Sequence, residues 1–262
     1  MFKDIKEELK KYNPLIHAIT NPISIRDCAN VILSTGARPM MAEHPEEVET
    51  ITKSAGALLI NLGNLTKARE EAMLISAKAA KENNIPYVID LCGIASLSNR
   101  RDLALKLISI CEPGIIKGNY SEIKALYDEA YKGSGVDSDK NLTTEEIAEI
   151  SKALSEHYKT TILASGKTDV IANGTDVYLC NNGSAQMATI TGTGCMQGAL
   201  CTAYLSVTDS VDAATTACQV FGIAGEMAET PLGSGIFAVN LLDRLSTITE
   251  SDVERLGKLE KY

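Results

Sequence analysis

Short apolar runs alternate with longer amphipathic stretches through the first two-thirds of the chain, and no other feature restricts the fold as strongly. Leu15–Ile19, Ala57–Asn61, Tyr87–Asp90, Gly114–Lys117 and Thr161–Ala164 read as strands, each followed by a turn signal. Ile25–Ser34, Pro45–Ser54, Lys67–Lys81, Asp102–Cys111, Glu122–Ala130 and Thr144–His157 carry apolar residues three and four apart and read as helices. Repeated strand–helix units imply an α/β fold with a mainly parallel sheet and helices on both faces.

The texture changes at Asp169. Val170-Ile171-Ala172 and Val177-Tyr178-Leu179 flank Asn173-Gly174 and read as a hairpin around an Asn-Gly turn. Beyond Gly194 the pattern is helical to the end, with a break at Pro231 and Gly233. Ala213–Met227 is apolar nearly all round, which predicts a core helix. Lys132–Asn141 is the only loop rich in Gly, Ser and Asp, and it is too short for a domain linker. With no repeat and no low-complexity tract, residues 1–262 are expected to form a single domain.

Composition narrows the classes of function. The chain has 25 basic and 34 acidic residues, a formal net charge of −9, and no Lys/Arg-rich run. Nucleic acid and anionic membranes demand a concentrated positive field, so neither is expected as a partner. An anionic small molecule would have to be held by a local pocket. The seven cysteines form no C-x-x-C pair, and several lie in apolar surroundings. That usage points to a reduced, cytoplasmic protein rather than a disulfide framework or a zinc site. Met1–Tyr12 is charged and amphipathic and does not read as a secretion signal. Val177–Gly225 has only Asp209 and Asp212 as charges, but no continuous apolar segment reaches the roughly 20 residues that span a bilayer. It reads as buried interior.

Chemistry concentrates at a few positions. Thr191-Gly192-Thr193-Gly194-Cys195-Met196 is a Gly-rich turn leading into an apolar helix. Glycines let backbone approach a ligand closely, and a helix start offers unpaired N–H groups to an anion. The run is neither a P-loop nor a complete G-x-G-x-x-G, so it reads either as a ligand site or as a structural tight turn. Cys195 falls in the first turn of that helix, where the dipole lowers a thiol pKa; its other reading is a small residue in an apolar wall. Asp90 and Glu122 follow strand ends, the edge of a parallel sheet where ligands bind. Carboxylates there can hold Mg²⁺ directly or through water, or can simply cap a loop and a helix start. Lys117 projects from the same edge and could meet a phosphate. His17 reads as a satisfied core or interface residue, while His44 and His157 read as loop and helix-surface residues. Nothing suggests a Ser-His-Asp arrangement.

Together these pieces resemble the hydroxyethylthiazole kinase family of the ribokinase-like superfamily. The similarity runs in order through Pro14-Leu15-Ile16-His17-Ala18-Ile19-Thr20-Asn21, Asp27-Cys28-Ala29-Asn30, Gly36–Ala42, Pro45-Glu46-Glu47-Val48 and Ala57–Gly63. It continues through Lys117-Gly118-Asn119 with Glu122, Thr191–Cys195 and Leu241–Thr249. Cys in place of the Asp of many ribokinase relatives points to the thiazole branch. The resemblance implies a three-layer ribokinase-like sandwich and ATP-dependent, Mg²⁺-assisted phosphorylation of the primary alcohol of 4-methyl-5-(2-hydroxyethyl)thiazole. It also implies a homotrimer with active sites between subunits. Met41 and Gly192 match thiazole-binding positions, Lys117 and Ser165 match ATP-binding ones, and Gly194 falls in the nucleotide-side turn. Asp90 and Glu122 match metal-linked acids, and Cys195 matches the residue beside the reacting hydroxyl.

The chain departs from the family in places. Asp90-Leu91-Cys92-Gly93 stands where Asp-Pro-Val-Gly is usual, followed by Ile94-Ala95-Ser96. Lys117 replaces Arg, keeping the charge but losing the planar fork, and Ser165 replaces Thr with its hydroxyl intact. Two rival readings follow from these departures: a related kinase for a pyrimidine or sugar-like alcohol, and an idle thiazole-binding paralogue. A nicotinamide enzyme is disfavoured, because the Gly-rich turn comes late and lacks an acidic ribose partner at the usual offset.

Overall fold

The computed structural model describes residues 1–133 and 141–262, so most of the Lys132–Asn141 loop lies outside the described residues. The first half runs α1 (Phe2–Tyr12), β1 (Leu15–Ile19), α2 (Ile25–Ser34), β2 (Arg38–Met40), α3 (Pro45–Ser54), β3 (Ala57–Asn61) and α4 (Lys67–Asn83). Next come β4 (Tyr87–Asp90), α5 (Ser98–Ile110), β5 (Ile115–Asn119), α6 (Tyr120–Tyr127), α7 (Thr144–Tyr158) and β6 (Thr161–Ser165). The chain then forms β7 (Asp169–Asn173), β8 (Asp176–Cys180) and a 3₁₀ turn (Ala185–Thr189). It closes with α8 (Thr193–Leu205), α9 (Ser210–Ala228), α10 (Ser234–Thr247), α11 (Glu250–Leu256) and β9 (Leu259–Lys261).

Among the described residues, nine strands join one sheet in the order β2-β1-β3-β4-β5-β6-β7-β8-β9. Pairing is parallel from β2 to β6 and antiparallel from β6 to β9. The period-two geometry of a strand divides each apolar run between two cores. Leu58 and Ile60 enter the core with α3–α7, whereas Ala57 and Leu59 enter the core with α1, α2 and α8–α10. The parallel α/β expectation, with helices on both faces, is therefore met.

Local chemistry sets the boundaries. Thr66 accepts from the Arg69 N–H at the start of α4, and Asn84 ends that helix in the left-handed region at φ 54°. Buried Asp169 ties the hairpin to α8, accepting from the Gly166 N–H at 3.0 Å and from Gln197 Nε2 at 2.7 Å. α9 is buried on nearly every face, as its composition predicts. His17 is fully buried between Thr52 Oγ1 at 2.9 Å and the Ala42 carbonyl at 3.0 Å, a satisfied core histidine.

Three expectations need correction. The chain is not helical to its end, because β9 pairs with β8 through Cys180 and Leu259. Three residues are too short for a period to register, and the strand forms because Asn182 catches the Lys258 N–H and the Leu256 carbonyl at 2.8 and 2.9 Å. In the hairpin, Asn173 still pairs with Asp176, so the turn is Gly174-Thr175 rather than Asn173-Gly174. Finally, α5 begins at Ser98, a full turn before the expected Asp102. The site depends on that turn.

Candidate active site

From β1 the chain steps outward to β2, then crosses back to β3 on the other side. Such a reversal leaves a crevice beyond the carboxyl ends of the strands, where open α/β sheets bind ligands. A cavity of about 570 Å³ occupies this edge. Asp90 ends β4, Lys117 and Asn119 come from β5, Glu122 from α6 and Ser165 from the end of β6. Gly192, Gly194 and Cys195 close the cavity from the start of α8.

One wall is charged. Asp90 and Lys117 are both buried, with Nζ 3.5 Å from Oδ2. Burial pushes the Asp90 carboxyl up, and Lys117, Asn61 and the Cys92 N–H pull it back. Burial works to depress the Lys117 ammonium, but Asp90, Cys195 and Glu122 outweigh it and raise it. Lys117 therefore stays cationic. Glu122 forms a capping box with Asn119: its Oε2 accepts the Asn119 N–H at 2.7 Å, and the Asn119 side chain accepts the Glu122 N–H at 2.9 Å. Its Oε1 accepts the Gly93 N–H at 2.7 Å. Burial, then Asp90, push the Glu122 carboxyl up to about 7, against those two N–H groups and Lys117.

The opposite wall is mostly backbone. Gly192 is the N-cap of α8 at φ +86°, and a Cβ there would stand 2.8 Å from Ser24 Cβ. Only glycine meets both conditions. The Lys117 ammonium lies 3.7 Å from where a Cβ on Gly194 would be, so the cation faces the turn. Cys195 Sγ accepts from Asn21 Nδ2 at 3.2 Å and from Asn61 Nδ2 at 3.3 Å. A hydrogen bond from Cys92 is the main cause that lowers the Cys195 thiol to about 7; Ser24 and Lys117 assist, and burial and Asp90 oppose.

Seven of the eight sequence-predicted positions thus meet in one cavity: Asp90, Lys117, Glu122, Ser165, Gly192, Gly194 and Cys195. Met41 does not. It follows the edge strand β2 and packs, half-buried, against the helix layer that holds α8. Sequence reasoning assigned no role to Asn21, Asn61, Cys92 or Arg100. Asn21 follows β1 and Asn61 ends β3, so the strand-end rule that found Asp90 would have found both. Arg100 carried no signal, because its helix was expected to start later.

The donor set bears on Mg²⁺. Among the described residues no group of three His, Cys, Asp or Glu could hold a metal by itself. Asp90 and Glu122 are two carboxylates with other partners, a set suited to a cation that keeps its waters and takes most ligands from a nucleotide phosphate.

An open sheet with an acid–lysine pair on one wall and a Gly-rich helix start on the other has the ribokinase-like architecture that small-molecule kinases share. The pyridoxal kinase from Staphylococcus aureus in complex with ADP shares that fold: its TM-score is 0.70 at 13% identity, covering 95% of this chain and 98% of that one. The profile of the hydroxyethylthiazole kinase family matches residues 6–251. "Hydroxyethylthiazole kinase 2" of Clostridium botulinum (strain Hall) is 42% identical over 98% of this chain and 99% of its own length. The hydroxyethylthiazole kinase structure from Pyrococcus horikoshii OT3 has a TM-score of 0.90 at 30% identity, covering 100% of this chain and 98% of that one. The chain belongs to the hydroxyethylthiazole kinase family, and is an enzyme of the kinase class.

Proposed function

We propose that this family member transfers the terminal phosphoryl group of ATP to the primary hydroxyl of 4-methyl-5-(2-hydroxyethyl)thiazole, the acceptor for which its relatives are named. The observation that carries the reading is the Gly192–Cys195 turn facing the Asp90–Lys117 pair across one cavity. Phosphoryl transfer is mainly positioning and charge stabilisation, with little covalent work for the protein. Lys117 supplies fixed positive charge toward Gly194, and the α8 start offers N–H groups to an anion. Ser165 and Gly194 line the nucleotide side, and Gly192 lies along the thiazole. Cys195, whose sulfur already accepts from Asn21 and Asn61, accepts the alcohol O–H and orients it. Mg²⁺, held through Asp90 and Glu122, would neutralise phosphate charge.

The same reading takes residues 1–262 as one catalytic unit, supported by a single sheet whose edge strand β9 comes from the last residues of the chain. It takes the assembly as a homotrimer in which Met41 reaches a neighbour's site. Support comes from the exposed edge strand β2 and the 41% exposure of Met40 beside it.

ADP release measured with and without hydroxyethylthiazole tests the activity, with a hydroxymethylpyrimidine and pyridoxal as competing acceptors. Acceptor-dependent release with the thiazole alone is expected. Preference for the pyrimidine would move the chain to a sister activity, and thiazole binding without turnover would make it an idle paralogue. Light scattering should give a trimeric mass; a fully active monomer would refute the shared site.

A further inference from the structure

Arg100 lines the same cavity and takes no part in the scheme above. We infer that Arg100 binds the phosphate chain of the nucleotide as a second cation beside Lys117, an inference that rests on the kinase reading.

Backbone sets its position. Because α5 starts at Ser98, Arg100 falls in the first helical turn, and its Nη1 donates to the Cys92 carbonyl at 2.9 Å. The guanidinium lies over Gly93, which has φ +83°, and a Cβ on Gly93 would collide with Nη1. Gly93 in turn donates its N–H to Glu122. The loop after β4 therefore sets Arg100 and Glu122 together on one wall. It does so through main-chain atoms, so the unusual Leu91-Cys92 side chains leave the arrangement intact.

The cation is uncommitted. Neighbouring Arg101 holds Glu129 at 3.6 Å, and Lys117 holds Asp90, but among the described residues Arg100 forms no ion pair. A guanidinium has five N–H donors, and Cys92 takes one. The remaining edge has the fork geometry that matches phosphate oxygens two at a time, which an ammonium cannot offer.

Charge counting points the same way. Among the described residues, the charged ones lining the cavity are Asp90, Glu122, Lys117 and Arg100. Without Arg100, Lys117 would at best balance Asp90, and beyond the α8 N–H groups and a bound Mg²⁺ no described cationic side chain would be left to meet a triphosphate. The chain as a whole carries −9 and supplies no attractive field from a distance. Arg100 brings the described lining to two cations against two carboxylates, and unlike Lys117 it is not engaged by an acid there.

The test compares Arg100→Gln and Arg100→Lys with the wild-type chain. Calorimetric binding of ADP and of adenosine is measured beside steady-state kinetics with ATP and hydroxyethylthiazole. Arg100→Gln should weaken ADP and raise the ATP KM by about 10- to 100-fold, the weight of a lost charge-assisted hydrogen bond. Adenosine affinity and the thiazole KM should stay near wild type, and Arg100→Lys should recover part of the ADP loss. A folded Arg100→Gln chain that binds ADP like wild type, or loses ADP and adenosine equally, would overturn the inference. ADP binding needs no turnover, so a wild-type chain that binds ADP yet ignores the thiazole would count against the acceptor assignment alone.

Discussion

The two walls of the cavity are built on different principles. The Asp90–Lys117–Glu122 wall consists of buried ionisable groups from β4, β5 and α6, in which Lys117 pairs with Asp90 and Glu122 is pushed up by burial and by Asp90. The α8 wall is a local turn, in which one glycine and a thiol are held by short-range geometry and two asparagine amides. Removing one partner of a buried pair strands the other charge, so damage to the first wall spreads through the fold. Damage to the second stays with the substrate. Stability and activity should therefore separate between the walls.

The charged wall offers the largest test of this contrast. Lys117→Met leaves Asp90 buried without its cation, and denaturant unfolding should show a loss of about 3–5 kcal/mol, with ATP turnover falling alongside it. Lys117→Arg keeps the charge and adds a planar fork that can engage two oxygens at once, so it should retain stability and bind ATP at least as well. If Lys117→Met melted like wild type, the walls would not differ as described.

Gly192→Ala comes next. It places a side chain at φ +86° against Ser24 and should cost on the order of 1–3 kcal/mol. Its larger signature should be a raised thiazole KM with the ATP KM little changed. An effect on ATP alone would put Gly192, like Gly194, on the nucleotide side.

Cys195 should give the smallest loss. If the sulfur orients the alcohol, Cys195→Ala stays measurably active and Cys195→Asp stays active or gains, because a carboxylate accepts from the same amides and from the alcohol. General-base help is typically worth about 10²–10⁴-fold, enough for a poorly placed carboxylate to offset lost packing. Total loss in a folded Cys195→Ala chain would refute the orienting role. The thiol itself can be titrated without any mutation. Because the Cys92 hydrogen bond lowers it, alkylation by iodoacetamide should rise with pH and level off at a lower pH than for an ordinary cysteine. Cys92→Val removes the main lowering cause and should move the curve upward.

Much of this was legible in the chain. Asp90, Lys117 and Glu122 were found because each follows or ends an apolar run, and the edge of a parallel sheet is where such positions converge. Gly192–Cys195 stood out because a Gly-rich turn before an apolar helix is unusual wherever it occurs. Asn21 and Asn61 obey the strand-end rule as well, but an asparagine does not announce chemistry as a carboxylate does. β2 and β9 were missed because three residues carry no measurable period.

The sequence by itself determined the alternation of elements, the layering that alternation forces and the edge where chemistry gathers, because periodicity and turn chemistry act between near neighbours. Tertiary structure alone decided which charges meet. Lys117 pairs with Asp90, Asn21 and Asn61 reach Cys195, and Arg100 enters the cavity while Met41 stays outside its lining. Those outcomes depend on sheet order and on where one helix starts, and burial converts each proximity into a shifted pKa or a fixed charge. No window along the chain contains that information, since partners such as Asn21 and Cys195 stand 174 residues apart.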